Sequence, residues 1–520
     1  MAADNKRIAK NSIFMYIRMG VTVLVGFYTS RVILQVLGVQ DYGIYNAVGG
    51  IVALFTFLNT AMTQATQRFL SYELGKGDMV KLRNTFSMCL NVHILISIII
   101  VAIGEALGLW LLYNKMVIPA DRMHIAFWVF QLSILASVIN VTQVPYNASL
   151  YAHERFNVYA VFQVGKAFLL LGSVFSLKLI PFDKLLTYAV LVFICNLLFA
   201  LVNRVYDIKQ FSECHYKCFW DKGMFRNVMG YTSWSLIGNM STTLCDQGIN
   251  ILLNIFFGPV VNAARGIAVQ VQTAIASLVY NFQGASVPQI VKLYASGDRN
   301  GVLKLVNNSS KISFYLFYIM VVPVCFEMNK LLTLWLGQVH DYMVAFSIFT
   351  LVIIVCQAFG GTLVFLIQAT GKIKGFQIFS SIANALVFPI TYVFFKLGFN
   401  PITPFIVIMI ARLIIDIYTF YDIKKLVDYP INVYYKNVLL PEFIISALGL
   451  IAPSLYIIYM EDTIIRCVLL FISCILINSL LIYYIGFNKH EREWIKNIIS
   501  KNVLKFKASK NMLLSKLLLF

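Results

Sequence analysis

Charged side chains lie inside long apolar segments of this 520-residue chain, where an ionised group is costly and therefore marks a candidate functional position. Four of them are cations with no acidic residue within one helical turn: Arg18, Arg31, Lys166 and Arg265. A guanidinium can make two parallel hydrogen bonds to phosphate oxygens, so these residues could bind an anion that crosses a membrane. Snorkelling or structural pairing is the alternative for the arginines, whereas Lys166 lies near the middle of its segment.

Uncharged amides accompany these cations. Asn59 and Gln64 lie in the second apolar segment and Asn140 lies in the fourth. Amides in such number suit a ligand that carries sugars, and we assign these three to the substrate site. Interhelical hydrogen bonds would use the same groups, so that alternative stays open.

Asp246 is the lone acid near the middle of the seventh apolar segment. Asn250 lies one helical turn further on, and Asn384 lies in the eleventh segment. Together these three residues could bind Na⁺ or carry a proton that drives transport. The alternative role of Asp246 is that of a counter-ion for one of the arginines.

The composition shows which elements must position these residues. The chain is 59% hydrophobic and only 12% charged, with a mean hydropathy of +0.77, which excludes a soluble domain of this size. Long apolar runs without alternating polarity predict helices. We predict an all-α polytopic membrane protein with about fourteen spans, at 12–37, 43–65, 85–113, 123–150, 158–177, 185–203, 230–257, 261–287, 312–335, 343–369, 376–396, 402–420, 440–459 and 465–486.

Positive charge predicts the orientation of these spans. If the N-terminus is cytoplasmic, the inner segments hold thirty Lys and Arg residues and the outer loops hold five. This bias places both termini inside. The net charge of +19 therefore reflects topology rather than nucleic-acid binding. The basic amphipathic tail, 487–520, is predicted to lie on anionic inner-leaflet lipids, with a partner-binding helix as the alternative.

A repeated layout divides the chain. Gly38 begins an uncharged segment that ends in a basic arm closed by Gly77-Asp78, and the layout returns 220 positions later as Gly258 and Gly297-Asp298. Such an offset indicates an internal structural repeat with a pathway between the copies. The predicted parts are an N-terminal half at 1–203, a cytoplasmic linker at 204–229, a C-terminal half at 230–420, extra helices at 421–486 and the tail.

Motifs of known enzyme classes are absent from the sequence. It has no Gly-x4-Gly-Lys-Ser/Thr loop, no His-Glu-x2-His and no Gly-x-Ser-x-Gly. Cys214-His215-x2-Cys218 is a single short cluster, for which reduced thiols are favoured over zinc. We therefore expect no enzymatic activity, no metal and no cofactor beyond a coupling Na⁺ or H⁺.

Three diffuse motifs resemble the Wzx-type flippases of bacterial surface-polysaccharide assembly. They are Leu37-Gly38-x2-Asp41-Tyr42-Gly43-Ile44-Tyr45-Asn46 with Gln67-Arg68-Phe69 and Gly77-Asp78, then Val144-Pro145-Tyr146-Asn147-Ala148-x3-Ala152-x-Glu154-Arg155-Phe156, and Leu334-Trp335-Leu336-Gly337. The resemblance covers roughly residues 8–420. It implies a V-shaped bundle of two pseudo-symmetric six-helix halves, like those of multidrug (MATE) transporters and the lipid II flippase, plus two C-terminal helices.

The same resemblance implies a substrate, for which we predict a mechanism that uses the charged residues above. The substrate would be an undecaprenyl-diphosphate-linked oligosaccharide moved from the inner to the outer leaflet of the bacterial plasma membrane, for O-antigen or capsule synthesis, alongside polymerase machinery. In an alternating-access cycle, Arg18, Lys166 and Arg31 would take the diphosphate from the cytoplasm. Arg265 would hold the anion before release, and Asp246 would couple the return step to an ion.

Two relatives of this family compete with that reading. The lipid II flippase also has arginines in its first and eighth helices, where Arg18 and Arg265 lie here. Drug-extruding members usually carry an acid in the first helix, but the first span here has Arg18 and Arg31 and no acid. A cationic drug would be repelled by such a cavity. A non-transporting scaffold on the same fold is a further alternative.

Overall fold

A computed structural model gives the fold. It describes the backbone of residues 2–55 and 62–493, except positions 64, 65, 68, 71, 72, 75, 154, 296 and 490. Side chains are described for the same residues apart from 2–17, 227–238 and nine positions between 278 and 295. Substrate candidates Asn59 and Gln64 lie outside the described residues, and so does most of the predicted amphipathic tail.

Helices make up all the regular structure of the described residues. We number them α1 Ala2–Ala53, α2 Met79–Asn114, α3 Met123–Ala152, α4 Phe156–Ser176, α5 Lys184–Gln210, α6 Lys222–Phe257, α7 Pro259–Ala295, α8 Arg299–Phe326, α9 Met328–Leu336, α10 Met343–Ala369, α11 Lys374–Lys396, α12 Thr403–Val427, α13 Ile431–Tyr459 and α14 Ile464–Gly486. Short π-helical turns interrupt three of them, at Gly104–Gly108, Tyr435–Leu439 and Ile482–Gly486.

The helices fit a lipid environment. Within the described residues, eleven helices are long and apolar enough to cross a membrane, and each of the fourteen predicted spans overlaps a helix. Large apolar side chains are exposed along their surfaces, for example Leu24, Ile98 and Ile417 at 61–70%. Such faces need lipid rather than water. The chain is a multi-pass, all-α membrane protein, as predicted, while its orientation stays a prediction.

Glycines and aspartates recur at the predicted offset with the same local conformation. Gly38 breaks α1 with a φ of 78°, and Gly258 separates α6 from α7 with a φ of 81°. Gly77 and Gly297 have φ of 75° and 74°. The aspartate after each of them caps the next helix, because Asp78 accepts from the Lys81 N–H and Asp298 accepts from the Gly301 N–H. Only glycine adopts such φ values without strain, which is why the spacing is visible in the sequence.

The chain forms two compact units. Unit 1 contains residues 1–274, 331–353 and 374–415, and unit 2 contains residues 275–330, 354–373 and 416–520. The domain boundaries predicted from the repeat stay a prediction. The linker between α5 and α6 in unit 1 runs from 211 to 221 and contains one 3-10 turn, Ser212–Cys214, since α5 continues to Gln210 and α6 begins at Lys222.

This linker lies against α2 in unit 1. Arg83 Nε donates to the His215 carbonyl at 2.8 Å, and Asn91 Nδ2 donates to the Phe219 carbonyl at 2.8 Å. Cys214 is fully buried in a cluster that includes Phe86 and Leu150, and this burial raises the pKa of its thiol. The raised pKa keeps Cys214 in the thiol form at neutral pH.

In unit 2, α8 packs against α13 and α14. Phe314 of α8 also stacks on Phe359 of α10 at a centroid distance of 5.1 Å, and Tyr318 Oη of α8 donates to the Ser446 carbonyl of α13 at 2.8 Å. Arg466 of α14 donates from Nε to Glu327 Oε1 at 2.9 Å, just after the end of α8. These contacts join the two extra helices to α8.

Candidate translocation site

Two helix hairpins of unit 1 meet along a seam of small residues. Gly43 lies so close to Pro259 that a Cβ atom at Gly43 would overlap the Pro259 carbonyl. Gly266 lies against the amide of Asn46, and Gly50 lies against that of Asn250. We call these three contacts the seam. It joins the second segment of α1 to the end of α6 and the start of α7.

The seam follows a pseudo-two-fold relation. Gly266 is the residue that a shift of 220 assigns to Asn46, so this contact joins equivalent positions. The same shift assigns Gln270 to Gly50 and residue 246 to Gly26. A Cβ at Gly50 would lie 3.3 Å from Gln247 Oε1, and one at Gly26 would lie 3.8 Å from Gln270 Nε2. The contacts thus come in approximately exchanged pairs, as expected of two repeats around one axis.

Asn250, a predicted ion-coupling residue, hydrogen bonds within this seam. Its Nδ2 donates to the Asn46 carbonyl at 3.1 Å. The Nδ2 of the fully buried Asn262 donates to both the carbonyl and the Oδ1 of Asn250, at 2.8 and 2.7 Å. In this structure Asn250 therefore links α6 to α1 and α7.

Arg265 lies behind the seam, 6% exposed. Its guanidinium carbon is 5.2 Å from the centroid of the Phe405 ring, and its Nη2 is 3.8 Å from Asp246 Oδ1. The Asp246 side chain is 66% exposed. Of the two roles left open for Asp246, counter-ion to an arginine is the one that this geometry supports, although the exposed carboxylate is also open to a small cation.

Asn384 lies on α11, which packs along α6. Phe388, one helical turn further along α11, contacts the Cα position of Gly248. This register places Asn384 beside the part of α6 that carries Asp246. No hydrogen bond joins Asn384 to the described part of the chain.

Arg31 is hydrogen bonded near the C-terminus of α9. Its Nη1 donates to the Leu334 carbonyl at 3.3 Å. Next to it, Trp335 Nε1 donates to the Phe27 carbonyl at 2.6 Å, and its ring lies edge-on to Phe27 at 4.6 Å. A cation near helix-terminal carbonyls is favourable, so Arg31 has a structural partner here.

Arg18 lies between α1 and α4 with an aromatic partner. Its guanidinium carbon is 5.4 Å from the centroid of the Tyr159 ring, and Tyr151 lies 4.9 Å from Tyr159. The Arg18 Nε is buried and has no hydrogen-bond acceptor among the described residues. No carboxylate of the described chain pairs with it. Within the described residues, its positive charge is therefore not neutralised by a carboxylate.

Lys166 lies two turns beyond Tyr159 on α4, half-buried toward α5. The adjacent Gly165 packs on the Phe199 ring, and the Cys195 thiol lies close to the ammonium group. No hydrogen bond or ion pair joins this ammonium to the described residues. Lys166 is thus a second cation of the first copy without a carboxylate partner.

A cavity of about 290 Å³ opens between α1, α3 and α5. Its polar lining includes Asn140, Asn196, Tyr45, Ser133 and Ser137. Asn196 and Ser133 also hydrogen bond to carbonyls within their own helices, whereas Asn140 is exposed. Asn140 is the one described amide of the predicted substrate set, and it faces this cavity.

The described candidates do not share one pocket in this structure. Arg18 and Lys166 follow the α1–α4–α5 side of unit 1, Asn140 lines the cavity, and Arg265 with Asp246 lies behind the seam. Arg31 lies at the end of α9. These residue roles stay predictions.

Sequence reasoning missed a three-residue clamp. Arg122, counted only as an outer-loop charge, pairs with Asp41 at 3.1 Å and with Asp183 at shorter range. Asp183 also caps α5 by accepting from the Leu186 N–H at 3.0 Å. The clamp joins the start of the second α1 segment to the N-terminal ends of α3 and α5. An acid at each of two predicted helix starts was the only sequence signal for it.

Solved structures of membrane transporters share this fold. An inward-facing multidrug resistance MATE family transporter of the MOP superfamily matches with a TM-score of 0.64 at 14% identity, covering 80% of this chain and 99% of that chain. Lipid II flippase MurJ in an inward closed conformation gives 0.64 at 13% identity, covering 91% and 99%. A MOP superfamily transporter from Pyrococcus furiosus gives 0.58 at 16%, covering 81% and 95%.

No family model matches the sequence, and no curated protein matches it. At these identities the structural similarity shows the fold alone. These neighbours are transporters and a flippase rather than enzymes. The resemblance to the polysaccharide branch stays a prediction.

Proposed function

We propose that this chain is a flippase that moves an anionic, lipid-linked oligosaccharide across a bacterial plasma membrane by alternating access. The observation that carries the proposal is the pair Arg18 and Lys166, two cations of the first copy that no described carboxylate neutralises. A charge without a partner inside a membrane protein is costly, so a bound anion would repay that cost. A diphosphate suits both an arginine fork and a lysine point charge.

The cavity supports a sugar-bearing substrate. Amides and hydroxyls from three helices face a space of about 290 Å³, in which Asn140 is exposed. Sugar hydroxyls need such donors and acceptors, whereas an apolar drug would leave them unsatisfied. The polyprenyl chain would stay in lipid against the exposed apolar faces.

The seam supports alternating access. Its contacts are backbone approaches at glycines and hydrogen bonds between amides, with no ionic contact between the two copies at Gly43, Asn46 or Gly50. A seam of this kind can open without breaking a salt bridge. Arg265 and Asp246 lie next to it, where an anion and a coupling Na⁺ or H⁺ would arrive when it opens.

Two observations favour the flippase over a drug exporter. The lipid II flippase structure covers 91% of this chain, against 80–81% for the MATE structures, as expected if the last two helices have counterparts in the flippase. The first predicted span carries arginines and no acid. We assign the substrate to the undecaprenyl-diphosphate class of O-antigen or capsule precursors, with lipid II as the second candidate.

Transport in liposomes tests the proposal. Purified protein is reconstituted with a fluorescent undecaprenyl-diphosphate oligosaccharide, and leaflet-specific quenching measures flipping with and without an ion gradient. We expect protein-dependent flipping that falls at least about tenfold in Arg18→Ala and Lys166→Ala, equivalent to about 1.4 kcal/mol of lost interaction. Arg18→Lys should be intermediate, because lysine cannot make the bidentate contact.

Lys178→Ala is the matched control, since Lys178 lies just beyond the end of α4 and is exposed. Equal flipping by wild type and both variants would show that Arg18 and Lys166 are not part of the substrate site. A lipid II arm identifies the second candidate. Export of a labelled cationic drug without flipping would show that the chain is an exporter.

A further inference from the structure

A buried charged cluster lies in unit 2, which contains none of the candidates above. Lys311 of α8 is 3% exposed, and its Nζ donates to both carboxylate oxygens of Glu491 at 3.0 Å. Glu442 of α13 is fully buried, and Lys311 is the cation that acts on its carboxyl group. Within the described part of the chain, the cluster therefore holds two acids and one cation.

The charges in this cluster do not balance. Lys311 already makes two charge-assisted hydrogen bonds to Glu491, whose side chain is 13% exposed. If Glu442 were also ionised, the buried cluster would carry a net negative charge. A buried charge without full compensation is among the most expensive features a protein can have. The cluster therefore needs one more positive charge.

A second observation indicates which group of the cluster would bind that positive charge. Both carboxylate oxygens of Glu442 are buried and have no hydrogen-bond partner among the described residues. The Tyr315 hydroxyl is also buried without a partner, and it interacts electrostatically with both Glu442 and Glu491. A buried acid without a hydrogen-bond partner among the described residues, close to an equally unpartnered hydroxyl, indicates a missing ligand at Glu442.

The other described groups around Glu442 do not supply the missing charge. Tyr434 lies close to it, but its hydroxyl donates to the Phe359 carbonyl at 2.7 Å. Asp416 acts on Tyr434 and adds negative charge rather than positive. Arg492 donates to the carbonyls of Phe487 and Tyr484, at the base of the tail.

We propose that Glu442 is a proton-binding site, occupied in this arrangement, and that Lys311 is shared between Glu442 and Glu491 when the proton leaves. A proton neutralises the carboxyl group without needing several oxygen ligands. A metal cation would need those ligands and would face the Lys311 ammonium. No group of three metal-ligating residues occurs in the described chain.

The site also connects to the base of the C-terminal segment. Glu491 caps the turn that begins there, since its Oε2 accepts from the Asn488 N–H at 2.8 Å and its N–H donates to Asn488 Oδ1 at 2.9 Å. An ionised Glu442 competes with Glu491 for Lys311 and so weakens this anchor. The inference does not depend on the flippase proposal, because it concerns unit 2 without substrate.

Infrared difference spectroscopy tests it on the purified full-length protein in lipid nanodiscs, with a pH change as the only perturbation. We expect a C=O band of a protonated carboxyl group at neutral pH that is present in wild type and lost in Glu442→Gln. In Glu491→Gln, Lys311 is free to pair with Glu442, so the band should persist only at lower pH. Glu461→Gln is the control, because Glu461 is exposed and should leave the band unchanged.

Three outcomes would overturn the proposal. One is a set of C=O bands that is identical in wild type and Glu442→Gln, and another is a Glu442-dependent band that stays at the same pH in Glu491→Gln. The third is a band that responds to added Na⁺ at constant pH, which would indicate a metal cation. Glutamine matches glutamate in shape, and thermal melting of each variant verifies that it is folded.

Discussion

Arg122 and Arg18 are arginines of the same copy, and they differ in whether a described carboxylate contacts them. Arg122 contacts two carboxylates, Asp41 and Asp183, and completes a clamp at the start of the second α1 segment. Arg18 contacts the ring of Tyr159 and no described carboxylate. A neutralised guanidinium has little attraction left for an anion, whereas one without a counter-charge keeps it. The comparison separates a charge that holds the fold from a charge available to a ligand.

Equivalent positions of the two copies show the same contrast. Tyr45 contacts Tyr188 at a centroid distance of 4.9 Å. The shift of 220 assigns Arg265 to Tyr45, and Arg265 lies on Phe405 with Asp246 at 3.8 Å. The second copy thus has Arg265 where the first copy has Tyr45, and Asp246 lies near Arg265. Among the described residues of the first copy, no acid pairs with Arg18 or Lys166.

The largest effect is expected at Gly43, two residues after Asp41 in the clamp region. Gly43→Ala places a methyl group into the Pro259 carbonyl, and a backbone clash cannot be relieved by turning a side chain. We expect a loss of about 3 kcal/mol in the free energy of unfolding, the upper range for overpacking. Denaturation in detergent, followed by tryptophan fluorescence, measures it.

Gly49→Ala is the matched control on the same helix, since a Cβ there meets nothing within 4 Å. It should be neutral or stabilising, because alanine restricts the unfolded chain. If Gly43→Ala matched Gly49→Ala, the close contact with Pro259 would not hold the seam together.

Arg122→Ala and Arg18→Ala test the comparison directly. Their expected effects on the free energy of unfolding are intermediate in size. Loss of Arg122 leaves two neighbouring carboxylates without a cation, so we expect about 2 kcal/mol of destabilisation after allowance for its partial exposure. Arg18→Ala should cost less than about 1 kcal/mol, because it removes only a contact with an aromatic ring. Both are measured by the same denaturation experiment.

Arg122→Lys keeps the charge and should recover part of the loss. The contrast fails if Arg18→Ala destabilises the protein as much as Arg122→Ala does. Arg18 would then be a structural residue, and a transport defect in its variant would no longer identify a binding role.

The sequence was informative where local chemistry decides the structure. Apolar runs predicted the helices, because a chain in lipid must satisfy its backbone hydrogen bonds within each helix. Gly38 and Gly258 predicted the breaks, because their positive φ excludes most other residues. Both signals act over a few residues, so one sequence is enough to read them.

Contacts between distant segments were not predictable in this way. Asp41, Arg122 and Asp183 are 61 to 142 residues apart, and nothing local links them. Lys311 lies one residue before a predicted span and was counted as a topological charge, and Glu442 lies two residues inside another predicted span and was not considered. Testing for opposite charges near such span ends would have marked both as candidates.

The smallest effect is expected at Asp78, an exposed charge that bears on one helix end alone. Its carboxylate accepts from the Lys81 N–H at 3.0 Å, and this hydrogen bond with the backbone is the main reason that the pKa of Asp78 is lowered. A lowered pKa means that ionised Asp78 stabilises the start of α2 above the ordinary aspartate pKa of about 4. That stabilisation is lost as the pH falls through the folded-state value. The amides of residues 79–83 should therefore lose protection against hydrogen exchange in acid, by more than the intrinsic pH dependence of exchange accounts for. Asp78→Asn keeps a capping oxygen but cannot titrate, so its protection should be independent of pH; the same acid-induced loss in this variant would assign the effect to another group.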